Sequence, residues 1–256
     1  MIKTLKHIFW FPFSSKQVIE INQKIVRDIE WNALKKYIEP NSTFLDVGCG
    51  SGDNLNRAQE ELKCITTGID PEPGAHGVGR FSTNETKPTI IQGSAENLPF
   101  PLENFDVVFC SHVLEHVNDE QKSLQEITRV VKKDGIVIIG MPTASMAIIS
   151  IISHYAFTTH VNLLFLIKNC YKKEVLKRLV HVLIPASHSY PNYRFITHDL
   201  HAYRIKRWRK VINSELEIID TLTPCLYPYP DFIQWFPKRT WKGISSSVFF
   251  ICKKKS

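Results

Sequence analysis

The sequence predicts an α/β fold with a parallel sheet, on three observations. Between residues 43 and 140, short apolar runs alternate with helix-like stretches, the pattern of βαβ units. A bare, glycine-rich stretch, "VGCGSG" (47–52), joins the first run to the first helical stretch. Two β-rich runs, 215–223 and 246–254, then follow as a candidate antiparallel pair.

The elements are read in order. Residues 15–38 carry Val18, Ile19, Ile21, Ile25, Ile29 and Leu34 at helical spacing, an amphipathic helix ended by Pro40-Asn41. The strand candidates are "TFLDV" (43–47), "CITTGID" (64–70), "TIIQ" (89–92), "FDVVFC" (105–110) and "GIVIIG" (135–140). Helices are expected over 53–62 and 117–133. After Pro142 the alternation stops, and a further helix is expected at about 198–212.

The chain has 256 residues, 43% of them apolar, and a formal charge of +7. That suits a single domain over 1–256 with an insertion, and its positive balance favours anionic partners. The six cysteines form no CxxC pair, which argues against a zinc site and a disulfide framework and for a reducing, cytoplasmic setting. No secretory signal is expected, since "MIKTLKHIFWFPF" lacks a long apolar core and a cleavage site.

Gly48, Gly50 and Gly52 leave the backbone open to close approach by a ligand at a helix N-terminus. A dinucleotide fingerprint would place its third glycine or alanine at 53, where this chain has Asp53. Asp53 and Asp46 are poor neighbours for a pyrophosphate and good ones for a cation. Asp70, ending the next run, stands where a carboxylate accepts ribose hydroxyls. The site therefore asks for a ribose, a positive charge and no phosphate, and S-adenosylmethionine meets all three conditions.

Over residues 42–143 the chain resembles the class I S-adenosylmethionine-dependent methyltransferases of the type 11 group, which includes the ubiquinone/menaquinone C-methyltransferases. Four stretches carry the resemblance: "LDVGCGSG", "GIDPEP", "GSAENLPFP" (93–101) and "FDVVFCSHVLEHV" (105–117). It implies a Rossmann-like seven-stranded sheet in the order 3-2-1-4-5-7-6, last strand antiparallel, with helices on both faces. It also implies that Asp46 and the Gly48–Gly52 backbone hold the methionine part, Asp70 the ribose, and Pro71 and Ala95 the adenine, with Ser111 bordering the methyl-donor end. Where the third motif has an aspartate for the adenine amino group this chain has Ser94, so Ser94 or Glu96 takes that contact. The domain then divides into an N-terminal helix (1–40), a donor-binding half (41–143), a helical cap insertion (144–196) and a C-terminal helix and hairpin (197–256).

Methyl transfer is mostly positioning, with a base needed when the acceptor carries a proton. "SHVLEH" offers His112, Glu115 and His116 at the C-terminal edge of the fourth strand, where open α/β sheets place their sites. Glu115 and His116 resemble a pair in cyclopropane fatty-acid synthases, and can equally cap and fill the following helix. His188 resembles a histidine that precedes the helix after strand five, and can equally be a loop residue. His198 and His201 lack a third ligand, so no metal is expected.

The insertion bears on the acceptor. Residues 146–167 contain no charge apart from any protonated histidine, but Ser150, Ser153, His154, Thr158, Thr159, His160 and Asn162 make them too polar for a membrane span. Residues 168–184 alternate basic and apolar at helical spacing. The stretch 146–184 reads either as a cap over the site or as a peripheral contact with an anionic membrane at its inner face, and the two are compatible. Both favour a small-molecule, lipid or lipid-linked glycan acceptor. Residues 223–242, with Tyr227, Tyr229, Phe232, Trp235, Phe236 and Trp241, are expected to wall the acceptor pocket. A nucleic-acid substrate trails: "YRIKRWRK" (203–210) splits into inward aromatics and outward cations, and "SHVL" stands where base-amine methyltransferases carry a Pro-Pro-aromatic tetrad. The rivals are an RNA methyltransferase, a nicotinamide-dependent oxidoreductase, and a non-catalytic S-adenosylmethionine-binding protein.

Overall fold

The computed structural model describes residues 16–74, 88–153, 155, 187, 195–227 and 244–255. The chain divides into two compact units, one of Met1–Val26, Thr143–Arg204 and Cys225–Ser246, the other of Arg27–Pro142, Ile205–Pro224 and Ser247–Ser256.

The second unit holds the sheet. Strands β1 (Thr43–Val47), β2 (Ile65–Asp70), β3 (Thr89–Gln92), β4 (Phe105–Ser111), β5 (Val131–Pro142), β6 (Leu216–Leu222) and β7 (Ser247–Lys254) pair in the order β3-β2-β1-β4-β5-β7-β6. The first five run parallel, and β7 is antiparallel to both β5 and β6. This is the order that the resemblance implies. In β1, Phe44, Leu45, Asp46 and Val47 are all buried, as a central parallel strand covered on both faces requires. Asp106 at the start of β4 clamps the neighbouring strands: it accepts the Thr43 amide at 2.9 Å and hydroxyl at 2.6 Å, and pairs with Lys132 of β5 at 2.8 Å.

Helix α1 (Lys16–Leu34) continues into a 3₁₀ turn at Lys35–Tyr37. Its buried side is not the expected isoleucine stripe. Val26, Glu30, Trp31 and Leu34 are buried, while Ile21 is exposed and Ile25 and Ile29 are half-buried. Trp31 carries the largest apolar area on the helix and sets the face that packs with Phe44, Leu55, Ala58, Phe109 and Phe249 in the core. Helix α2 (Asp53–Leu62) has its expected bounds and buries Leu55 and Ala58.

Helix α3 (Glu120–Val130) is shorter than expected at both ends. The Asp119 side chain accepts the Lys122 amide at 2.9 Å and starts it late. Val131 turns extended and pairs with Phe105, so β5 begins there. The helix expected at 198–212 is two: α5 (Thr197–Ala202) in the first unit and α6 (Ile205–Glu215) in the second. Tyr203 and Trp208 are buried and Arg204, Lys206, Arg209 and Lys210 exposed, the expected split. Trp208 Nε1 donates to the Pro142 carbonyl at 3.1 Å.

In the first unit, α4 (Ala144–Ser153) is anchored by its Ala144 amide on the Tyr203 carbonyl at 3.0 Å. Ser187 donates to Asp199 at 2.5 Å. Tyr227 is buried, and its amide donates to Ser246 Oγ at 2.7 Å. Most of the 144–196 insertion, His188, and the expected wall residues Tyr229, Phe232, Trp235, Phe236 and Trp241 lie outside the described residues. Among the described residues, no helix is long and apolar enough to cross a membrane.

Candidate functional site

The glycine-rich loop between β1 and α2 hangs from β2: Gly48 and Cys49 donate to the Ile69 carbonyl at 2.7 and 3.2 Å. Gly48 has φ 74°, and a Cβ there would stand 2.2 Å from a methyl of Val113. Only glycine meets both conditions. The Gly50 amide donates to Asp70 Oδ2 at 2.8 Å, and the Glu72 amide to Asp70 Oδ1 at 2.8 Å. Asp70 is thus buried at the end of β2 with each oxygen already taking one backbone donor and keeping a second lone pair.

Asp46, at the end of β1, is 2% exposed, and its Oδ2 is buried with no hydrogen-bond partner among the described residues. Burial pushes its carboxyl well up; a hydrogen bond from Asn54 opposes this, and Asp70 and Asp53 reinforce it. A buried carboxylate oxygen without a donor is costly and is satisfied by an incoming cationic N–H group. This orphaned oxygen, beside a loop too tight for a Cβ, fits the ammonium and main chain of an amino-acid ligand. Asp53, read from sequence as a second carboxylate for the cation, is instead paired with Arg57 at 2.9 Å, and Arg57 also binds Asp28 of α1 at 2.7 Å. Sequence reasoning did not find Arg57, although the (i, i+4) spacing from Asp53 carried the signal. The Cys49 thiol beside these carboxylates is pushed up by burial, then by Asp46 and Asp70.

At the end of β3, Gly93 donates to the Asp70 carbonyl at 3.0 Å, which brings the third motif beside the second. Ala95 is buried, Pro71 and Ser94 are exposed, and Ser94 Oγ accepts the Glu96 amide at 3.2 Å. Glu96 Oε1 accepts the amides of Asn118 and Asp119 at 2.7 and 3.1 Å, ahead of α3. That oxygen fixes the loop after β4.

The loop after β4 carries the titratable cluster. Ser111 ends the strand, half-buried, and a Cβ at Gly140 would stand 2.5 Å from its Oγ. His112 has φ 57°, left-handed and uncommon for a non-glycine residue, and its amide donates to the Gly140 carbonyl at 2.9 Å. The expected helix does not begin here, so Glu115 lies in a turn rather than at a helix start. His112 Nδ1 is 3.3 Å from Glu115 Oε1, and His116 Nε2 is 3.9 Å from the same oxygen. The Glu115 side chain is 1% exposed and that of His116 42%. On its other side, His112 Nε2 is 3.0 Å from Ser247 Oγ, the fully buried first residue of β7. Sequence reasoning missed Ser247; the hydroxyl run Ser245-Ser246-Ser247 before an apolar strand was its only trace. The structure therefore brings Asp46, the glycine loop, Asp70 and Gly93–Ala95 together, and joins His112, Glu115 and His116. Among the described residues, no group of three His, Cys, Asp or Glu side chains is arranged to hold a metal.

Residues 45–139 match the family model described as a methyltransferase domain. The ubiquinone/menaquinone biosynthesis C-methyltransferase of Campylobacter jejuni is 30% identical over 126 residues, 44% of this chain and 52% of that protein. The tRNA U34 carboxymethyltransferase of Shewanella frigidimarina is 36% identical over 111 residues, 41% of this chain and 33% of that protein. The chain thus spans about half the length or less of these curated relatives. A structure from Thermotoga maritima described as an S-adenosylmethionine-dependent methyltransferase superposes with a TM-score of 0.52 at 17% identity, covering 92% of this chain and 98% of that one, a likeness of fold.

Proposed function

We propose that this chain, whose residues 45–139 are a methyltransferase domain, transfers a methyl group from S-adenosylmethionine to a small-molecule, lipid or lipid-linked glycan acceptor. The observation that carries the proposal is the buried, donorless oxygen of Asp46 behind a loop that a Cβ at Gly48 would block. In this reading Asp46 and the Gly48–Gly52 backbone hold the ammonium and carboxylate of the donor's methionine part. Asp70 receives the ribose hydroxyls on its remaining lone pairs while it holds the Gly50 amide. Pro71 and Ala95 line the adenine. Ser94 is favoured for the adenine amino group, because Glu96 is engaged with Asn118 and Asp119. Ser111 borders the methyl end, kept clear by Gly140.

The bound sulfonium supplies an already activated methyl group. The chain's own work is to align the acceptor for in-line displacement, to exclude water, and to take up any proton the acceptor releases. His112, Glu115, His116 and His188 are the candidates for that last task. Calorimetry tests the donor reading directly: S-adenosylmethionine binds and NADH does not. The reverse result would make the protein an oxidoreductase. Binding without turnover, with no label passing from a methyl-labelled donor into any lysate fraction, would make it a non-catalytic binding protein.

An RNA acceptor is the second reading, supported by the tRNA-modifying relative and by the exposed Arg204, Lys206, Arg209 and Lys210. Ribonuclease treatment of the lysate separates the two, since it abolishes labelling only if RNA is the acceptor. A peripheral membrane contact through 146–184 is supported by exposed Ile148, Ile152 and Tyr155 in the first unit. It predicts sedimentation with anionic liposomes that high salt reverses.

A further inference from the structure

Residues 94–100 run beside α3 and are fastened to it at two levels. Along the helix, the Leu98 amide donates to Glu126 Oε2 at 2.8 Å. Arg129, paired with Glu126 at 2.8 Å, donates to the carbonyls of Leu98 and Phe100 at 2.9 and 2.7 Å. At the start of the helix one atom does the fastening: Glu96 Oε1 takes both the Asn118 amide at 2.7 Å and the Asp119 amide at 3.1 Å. Amide donors bind a carboxylate more strongly than a neutral acceptor, and a helix N-terminus favours the negative charge. Asn118 and Asp119 are exposed, so this oxygen is what holds their amides against exchange with water.

Glu96 is itself set by the turn before it. Its amide donates to Ser94 Oγ at 3.2 Å, and the Asn97 amide donates to the Ser94 carbonyl at 3.2 Å. In the donor reading, Ser94 takes the adenine amino group and the buried Ala95 lines the ring. A hydroxyl oxygen has two lone pairs. One holds the Glu96 amide, and the other is left for the adenine. A single turn then serves the donor through residues 94 and 95 and the start of α3 through residue 96.

The segment that Asn118 and Asp119 close is the loop carrying Ser111, His112, Glu115 and His116. Near its beginning, Val113 packs on Gly48, where a Cβ would stand 2.2 Å from a Val113 methyl. Leu114 is fully buried. The loop is thus braced at one end by the glycine loop and at the other by Glu96. In the donor reading these are the methionine end and the adenine end of one ligand.

We infer that Glu96 is a positioning residue that couples the adenine end of the donor site to the loop 111–119, so that this loop is held more tightly when the donor is bound. The inference rests on the methyltransferase reading above, and it gives Glu96 a role other than contact with the adenine. An occupant bonded to Ser94 and packed on Ala95 narrows the conformations of the 94–97 turn. The Glu96 oxygen then stays longer on its two amides. The coupling is reciprocal, so a loop held by Glu96 also favours the donor. The consequence for the reaction is an order of events: the donor binds first, and the acceptor meets a loop already set.

Amide hydrogen exchange of the full chain, followed residue by residue by NMR, reads this coupling without turnover. The probes are S-adenosylhomocysteine, which carries both ends of the donor, and adenosine, which lacks the methionine part. Both should slow exchange at Asn118 and Asp119 by at least about fivefold, the lower range of coupling between sites. In Glu96→Ala, S-adenosylhomocysteine should still protect the Gly50 amide but no longer those of Asn118 and Asp119. Glu96→Gln keeps the accepting Oε1 and should restore the response. Wild-type Asn118 and Asp119 amides that neither ligand moves would overturn the inference, as would an intact response in Glu96→Ala. If Glu96→Ala instead exchanges faster throughout β4, with a lowered melting temperature, the residue is merely structural and the assignment also falls. At saturating methyl-labelled S-adenosylmethionine, label transfer into lysate should drop at least about tenfold in Glu96→Ala, the scale of a misplaced reactant, and recover in Glu96→Gln. Undiminished transfer would refute the effect on the acceptor side. Failure of the wild type to bind S-adenosylhomocysteine by calorimetry defeats the donor reading itself, whereas binding with no response at Asn118 and Asp119 defeats only the role given to Glu96.

Discussion

The Asp70 carboxylate, at the end of β2, holds the Gly50 amide at 2.8 Å and so fixes the middle of the glycine loop before any ligand arrives. One side chain thereby shapes the loop and, in the proposed reading, also takes the ribose. Asp70→Ala should remove both contributions. Hydrogen bonds to a charged group are worth about 1.5–3 kcal/mol each, so calorimetric donor affinity should fall at least tenfold. Undiminished affinity would take Asp70 out of the site.

Asp46 should trade stability against binding. Burial raises its carboxyl well above 3.8 in the fold, so between 3.8 and that raised value the native state keeps a proton the unfolded chain has released. Stability from this group is therefore greatest at low pH and declines as pH rises through that window. Asp46→Asn removes the charge. The free protein should melt at the same temperature or higher at neutral pH, while donor affinity drops. A variant that binds the donor normally would contradict the role given to Asp46.

Gly48→Ala and Gly74→Ala separate backbone strain from steric collision. Both glycines have positive φ, 74° and 81°. A Cβ at Gly74 meets nothing within 4 Å, whereas one at Gly48 meets Val113 at 2.2 Å. Gly74→Ala should cost about 1 kcal/mol, the penalty of the left-handed conformation alone. Gly48→Ala should cost clearly more and abolish donor binding. Equal melting temperatures for the two variants would show that the Val113 contact yields freely.

Asp106 gives the opposite acid response. Burial acts to raise its carboxyl, but the hydrogen bonds from Lys132 and Thr43 outweigh it and hold it at about 2. Its stabilisation is complete above 3.8 and is lost as pH falls through about 2. Because its side chain is 40% exposed, solvent screening keeps the contribution to roughly 1 kcal/mol. Asp106→Asn should lower the melting temperature by a few degrees at pH 6, and the gap should close near pH 2. A gap that persists in acid would mean the charge is not what matters.

The sheet was legible because its strands announce themselves twice, as buried apolar runs and as β–α alternation. β1 and α2 fall where the pattern puts them. The ends of α3 and β5 were harder, since Asp119 and Val131 carry local signals weaker than the pairing of Val131 with Phe105 across the sheet. On α1 the isoleucine stripe misled because Trp31 outweighs any one isoleucine in buried area. At the site, the glycine loop and Asp70 follow from spacing, but neither the Arg57–Asp53 pair nor the Ser247–His112 contact does. The latter joins residues that only the antiparallel insertion of β7 makes neighbours, and no local pattern encodes that.

β7 lies between β5 and β6, and residues 143–246 intervene between the paired ends Pro142 and Ser247. On the ribosome, β1 to β5 emerge first and can associate, but the far edge of β5, from Val137 to Pro142, must wait for 247–254 to leave the exit tunnel. Until then β6 has no strand beside it, and a row of buried-to-be isoleucines stands open to any other extended chain. That edge is thus exposed until residues 247–254 are available to cover it, and His112 meets its serine only when the sheet finally closes.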